Sequence, residues 1–214
     1  MSNKTKTFLT VIPFQGKNEL DAVRYQPVGN DRLAYGETHY PIISVIAGYA
    51  RPGDTVRVIA VKTEGENYER NFNQYFLKEV LPLCESMGLR FEGVEVISSP
   101  DEETIEVQLK LFSDIVAKLA TDEELYACIT YGRKPTPIVL SMALNYAQRL
   151  KKGSSVECIV YGQYFHNEQK LGYIYDTTSL FYMDSIVNKL AEMRASDPEK
   201  AIRLMLGLEE QEED

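Results

Sequence analysis

Runs of β-branched residues alternate with segments of helical spacing along the whole chain, and this alternation constrains the fold more than any other feature. Residues 7–13 (Thr-Phe-Leu-Thr-Val-Ile-Pro) and 55–61 (Thr-Val-Arg-Val-Ile-Ala-Val) read as strands buried on both faces. Residues 125–130 and 156–161 read the same way, residues 91–97 alternate as an edge strand would, and 171–175 completes the set. Between them, 39–49, 67–87 and 135–150 carry apolar residues at helical spacing, with Pro41 suited to a first turn and Gly88 to a C-terminal stop. Ser98-Ser99-Pro100-Asp101-Glu102 predicts a capped helix running to about Leu119, the strongest helix start in the chain. In the helix at 135–150, Ile138, Leu140, Met142, Leu144 and Tyr146 are expected on or near the apolar side. The polar stretch 21–38 reads as an irregular excursion or hairpin.

Strand followed by helix, repeated, dictates parallel neighbours with helices on both sides. The expected class is therefore α/β, a Rossmann-like, mostly parallel sheet with a helical C-terminal extension. The expected boundaries are 1–178 for the sheet domain and 179–214 for two terminal helices and an acidic tail.

Composition excludes several functions. No stretch approaches the roughly 18 apolar residues of a spanning helix, and the N-terminus lacks the features of a signal peptide, so a cytoplasmic protein is expected. The net charge of −9 falls to about −4 once the five acids after Leu208 are set aside. No Lys/Arg cluster suits duplex nucleic acid, and no membrane partner is expected. Cys84, Cys128 and Cys158 are widely spaced and read as buried small hydrophobes. With only His39 and His166 beside them, neither a metal site nor any other cofactor is expected.

In parallel α/β sheets, ligands gather beyond the carboxyl ends of the strands. Two loops there carry suitable chemistry. After the first strand come Pro13, Phe14, Gln15, Gly16, Lys17 and Asn18, a glycine for close backbone approach among several donors. After the strand at 125–130 come Thr130, Tyr131, Gly132, Arg133 and Lys134, directly before a helix N-terminus. Arg133 can fork onto a phosphate and Lys134 can act as a point charge. Neither a GxGxxG nor a Walker loop is present, which disfavours a dinucleotide cofactor.

The run from Cys128 through Thr130, Gly132, Lys134 and Pro137 to Ala147, followed by residues 156–162, resembles the CARF (CRISPR-associated Rossmann fold) domain. Glu37-Thr38 and Tyr175-Asp176-Thr177-Thr178 are also similar, so the likeness spans nearly the whole chain. It departs at Cys128, where the family usually has an acid. The resemblance implies a homodimer whose shared pocket binds a cyclic oligoadenylate of type III CRISPR antiviral signalling, tetra- in preference to hexa-adenylate. The two loops at 13–18 and 130–134 would supply the contacts.

No fused effector is expected, which leaves a ring nuclease or a non-catalytic sensor or sponge acting on a separate partner. Cleavage would need no metal, because the ribose 2′-hydroxyl can attack its own phosphate when held in line. Lys134 would then stabilise charge, while Thr130 or Gln15 would orient the ribose. His39 and His166 are the only groups suited to carry a proton near neutral pH, and both are expected to be satisfied surface histidines. Arg32 and His39 fall at Arg-x6-His spacing, expected by chance. Asp176 is the first acid to consider should cleavage require a metal.

Overall fold

The computed structural model describes residues 4–14, 19–165 and 171–207. They fall into two compact units, Met1–Thr178 and Ser179–Asp214.

The first unit is built on an eight-stranded sheet. In chain order its strands are β1 (Thr5–Val11), β2 (Val23–Val28), β3 (Glu37–Thr38), β4 (Thr55–Thr63), β5 (Arg90–Ser99), β6 (Glu123–Cys128), β7 (Ser155–Tyr164) and β8 (Leu171–Asp176). Across the sheet they lie in the order β3-β2-β8-β7-β6-β1-β4-β5. The five from β5 to β7 are parallel, β8 is antiparallel to β7, and β2 runs with β8. The fold is α/β and Rossmann-like, as the alternation dictates. The excursion at 21–38 turns out to extend the sheet, because β2 docks on β8 and returns through the two-residue β3.

Helix α1 (Pro41–Tyr49) and the continuous helix made of α2 (Glu66–Asn71), a π-helical segment (Phe72–Phe76) and α3 (Leu77–Ser86) share one core with Phe8, Ile12, Val58, Tyr126 and Val160. Helices α4 (Ile105–Lys118) and α5 (Thr136–Leu150) pack side by side, with Phe112 edge-on to Tyr146 at 6.3 Å. All three cysteines are buried and free. The second unit holds α6 (Thr178–Glu192) and α7 (Pro198–Met205), the latter capped by Asp197, which accepts from the Lys200 N–H at 2.9 Å. Among the described residues, no helix is long and apolar enough to cross a membrane.

Two local expectations fail. The predicted cap at Ser98-Ser99 is instead the end of β5: Ser99 pairs with Thr63, and its carbonyl accepts from the Glu64 N–H at 2.9 Å. Ladder pairing outcompetes the local signal, and the helix starts at Ile105, capped by the Thr104 hydroxyl. On α5 the buried stripe is Val139, Leu140, Ala143, Leu144 and Ala147, rotated from the predicted one. Alanines allow close packing there, so Ile138 and Met142 face solvent, 63% and 57% exposed.

At the edge where the parallel strands begin, an ion network ties the layers together. Arg57 donates from Nη1 to Glu95 at 2.8 Å, and from Nη2 to Glu123 at 2.5 Å and to the Lys118 carbonyl at 2.7 Å. Glu123 also accepts from the Thr7 hydroxyl and the Ala120 N–H, both at 2.8 Å. Every arm of this carboxylate is satisfied while its residue is only 2% exposed. Removing one member leaves a buried charge uncompensated. Glu123→Ala should therefore destabilise the domain by about 3–5 kcal/mol in urea unfolding. The double change Arg57→Met/Glu123→Leu should cost markedly less, and equal losses in the two variants would contradict this account.

Candidate functional site

The parallel strands β1, β6 and β7 end on one edge, and α1 begins there. A pocket of about 230 Å³ opens at that edge, lined by Leu20, Asp21, Val23, Tyr25, Thr130, Tyr131, Gly162 and Tyr164. Its placement follows from topology. The chain leaves β1, returns down β2, and climbs through β3 to Tyr40, so residues 20–25 and the start of α1 meet the ends of β6 and β7. Gly162 makes the approach possible, since a Cβ there would lie 2.6 Å from the Pro41 ring.

The pocket's polar atoms are tightly partnered. The Thr130 hydroxyl accepts from the Gly162 N–H at 2.7 Å and lies 3.1 Å from the Cys128 sulfur. Tyr131 donates to the His39 carbonyl at 2.8 Å, and Tyr164 donates to Asp21 at 3.1 Å. Burial pushes the Tyr25 phenol up to about 12 and holds Tyr131 well above its ordinary range, so both are neutral, hydrogen-bonding phenols at physiological pH. Cys128 is fully enclosed beside the first turn of α1, and burial raises its thiol too. A neutral thiol needs no counter-charge at this point, whereas a carboxylate would.

The loop after β6 separates the two cations predicted to work together. Gly132 has φ of 107°, and a Cβ there would press on Thr136 and Val11 at 3.1 Å, so the turn runs close over the end of β1. Arg133, expected to fork onto a phosphate, is instead drawn to Asp101 and Glu103 in the β5–α4 connection. Lys134 is exposed at the start of α5. Of the first loop, Pro13 is buried with its carbonyl accepting from Asn71 at 3.0 Å, and Phe14 is exposed against Tyr68. Gln15, Gly16, Lys17 and Asn18 lie outside the described residues, as does His166.

Other sequence candidates separate. Asp176 accepts from Asn30 at 2.6 Å and from the Thr178 N–H at 3.0 Å, which makes it an anchor between β8 and the segment after β2. Arg32 lies against the Tyr49 ring at the far end of α1 from His39, so the Arg-x6-His pair is not one site. His39 is paired through Nδ1 with Glu79 at 2.5 Å, a contact that spacing 40 residues apart does not reveal. Asp21, Tyr25 and Tyr164 also escaped the sequence reading. Of these, Tyr25 alone left a trace, as an aromatic residue set in the polar excursion at 21–38.

No protein-family model matches the chain, and no curated protein matches it. The site therefore has to be read from its own atoms.

A phenol with a raised folded pKa contributes stability that is intact below its unfolded value of about 10 and is lost as pH climbs toward 12. Tyr49 and Cys158, each pushed up to about 12 by burial, act in the same direction. The free energy of urea unfolding should fall between pH 10 and 12, and Tyr25→Phe should make that fall shallower. An unchanged slope in the variant would show that Tyr25 ionises freely in the folded protein.

Proposed function

We propose that this protein binds a cyclic oligoadenylate, tetra- in preference to hexa-adenylate, in a pocket completed by a second copy of the chain. The observation that carries the reading is the tyrosine-walled pocket at the carboxyl ends of β6 and β7, to which the loop after β6 contributes Thr130 and Tyr131. Tyrosine faces stack on bases, and the exposed Lys134 at the end of the same loop would supply charge. The resemblance of that loop to CARF domains supplies the ligand class.

One protomer offers about 230 Å³, below the roughly 300–1,000 Å³ of ordinary ligand sites and far too little for a ring. A two-fold axis through the pocket would double it and match the symmetry of the ligand. An apolar face suits that pairing. Ile105 and Leu109 on α4, with Ile138 and Met142 on α5, are each more than half exposed, and both helices start at the pocket's edge of the sheet. In this arrangement they become buried between copies.

Cleavage of the ring without metal is the fuller form of the proposal, and sensing or sequestration the alternative. The Thr130 oxygen is committed to Gly162, which leaves it a scaffold role and favours Lys134 as the group that meets phosphate.

Light scattering at micromolar concentration should give a dimer, and Ile138→Asp/Met142→Asp should give a monomer that no longer binds cyclic tetra-adenylate. Lys134→Ala should weaken binding roughly tenfold or more in calorimetry, through loss of a charge-assisted contact in each subunit. A wild-type monomer with and without ligand, or full affinity in Lys134→Ala, would overturn the shared pocket.

A further inference from the structure

Strands β2, β8 and β7 present two faces with different surroundings. Toward α1, Val23, Tyr25, Ile174 and Val160 are buried, and Gly162 and Gly172 let the Tyr25 ring lie close on the backbone. On the opposite face α5 packs on β7 and Ile159 is buried, whereas the side chains beyond it stand open. Register fixes which of them are neighbours. Tyr175 lies between Val28 and Tyr161, Tyr173 lies between Gln26 and Gln163, and Arg24 and Phe165 flank Leu171 in the next row. Tyr161, Tyr173 and Phe165 are each about two-fifths exposed. The rings form one continuous chain, with centroids 6.4 Å apart from Tyr161 to Tyr175, 6.2 Å from Tyr175 to Tyr173 and 5.9 Å from Tyr173 to Phe165. A contiguous exposed patch of this kind marks an interaction site.

The groups between the rings decide what the face would take. None of the residues in these three rows is an acid, in a chain with 32 Asp and Glu. Tyr175 donates to Gln163 Oε1 at 3.0 Å, which leaves the amide N–H groups to a ligand. The Tyr161 and Tyr173 hydroxyls make no hydrogen bond among the described residues. Arg24 stands at the corner, 3.5 Å from Glu37, with both side chains well exposed. An exposed ion pair of that kind contributes little and exchanges readily for a phosphate. Rings interleaved with amides, hydroxyls and a guanidinium are the composition of single-strand-binding sheets. There, bases stack on the aromatic faces while polar groups meet base edges and sugar.

We infer that this face of β2, β7 and β8 is a binding surface for single-stranded RNA. Successive bases stack along the ring chain from Tyr161 to Phe165, Gln26 and Gln163 meet base edges, and Arg24 takes a phosphate. The Tyr161 and Tyr173 hydroxyls face ribose 2′-hydroxyls, which selects RNA over DNA. The surface lies across the sheet from the tyrosine-walled pocket, to which the same strands give Val23, Tyr25, Gly162 and Tyr164. It therefore stands or falls independently of the cyclic ligand proposed there.

The test uses the full chain and a fluorescein-labelled oligouridylate of about twelve nucleotides, read by fluorescence anisotropy. The wild-type chain should bind it, and should bind the deoxy-oligonucleotide of the same length roughly fivefold more weakly. Tyr173→Leu should weaken RNA binding roughly tenfold and Tyr161→Leu/Tyr173→Leu further, because a base no longer has a ring to stack on. Tyr161→Phe/Tyr173→Phe keeps the rings and should reduce RNA affinity only to that for DNA. With a single guanidinium on the face, log affinity should fall with log salt at a slope of about −0.7. Urea unfolding of each variant separates a lost contact from a folding defect. Absence of RNA binding, full affinity in Tyr161→Leu/Tyr173→Leu, equal affinity for DNA, or a salt slope several times steeper would overturn the assignment. So would a wild-type dimer that fails to bind RNA and becomes a monomer in Tyr161→Leu/Tyr173→Leu, since the face would then belong to a second copy of the chain.

Discussion

The position of β1 between β4 and β6 is the constraint on which the rest of the first unit depends. Phe8, Leu9 and Ile12 are fully buried, so β1 meets the α1 and α3 core on one side and is covered on the other. A strand in that position admits no slip of register, because a shift of one residue would exchange its two faces. Parallel pairing from β5 to β7 then brings all the carboxyl ends of these strands to one edge. Helices must start at that edge, and so must any site that uses strand ends.

The two edges of the sheet differ in chemistry. Where the strands begin, Arg57, Glu95, Glu123 and Thr7 close on one another, and the charges face each other. Where the strands end, hydroxyls, carbonyls and the Asp21 carboxylate are set around a pocket, and Lys134 is exposed at the start of α5. Hydroxyls partnered by backbone give rigidity without net charge.

Much of the fold was legible because it rests on periodicity. Buried parallel strands are continuous apolar runs, and both Pro41 at the head of α1 and Gly88 after α3 mark their helix ends by backbone geometry alone. The α4 start was not legible. The capping residues at Ser98-Ser99 were real signals, overridden by pairing with a strand 36 residues away. The loop at 130–134 was correctly placed at a strand end, yet the fate of Arg133 depended on acids from another connection. His39 was noticed as a proton carrier, but only folding brings Glu79 and Tyr75 to it.

Local order thus came from the sequence: which segments become most of the strands and helices, that the core strands run parallel, and hence which loops share an edge. Those outcomes depend on steric preference and hydrophobic period, which neighbouring residues decide among themselves. The tertiary structure decided which charges are already neutralised, which hydroxyls are committed, and which histidine is paired with a carboxylate. Such properties are set by distances of a few ångströms between residues far apart in the chain, and no local pattern encodes them.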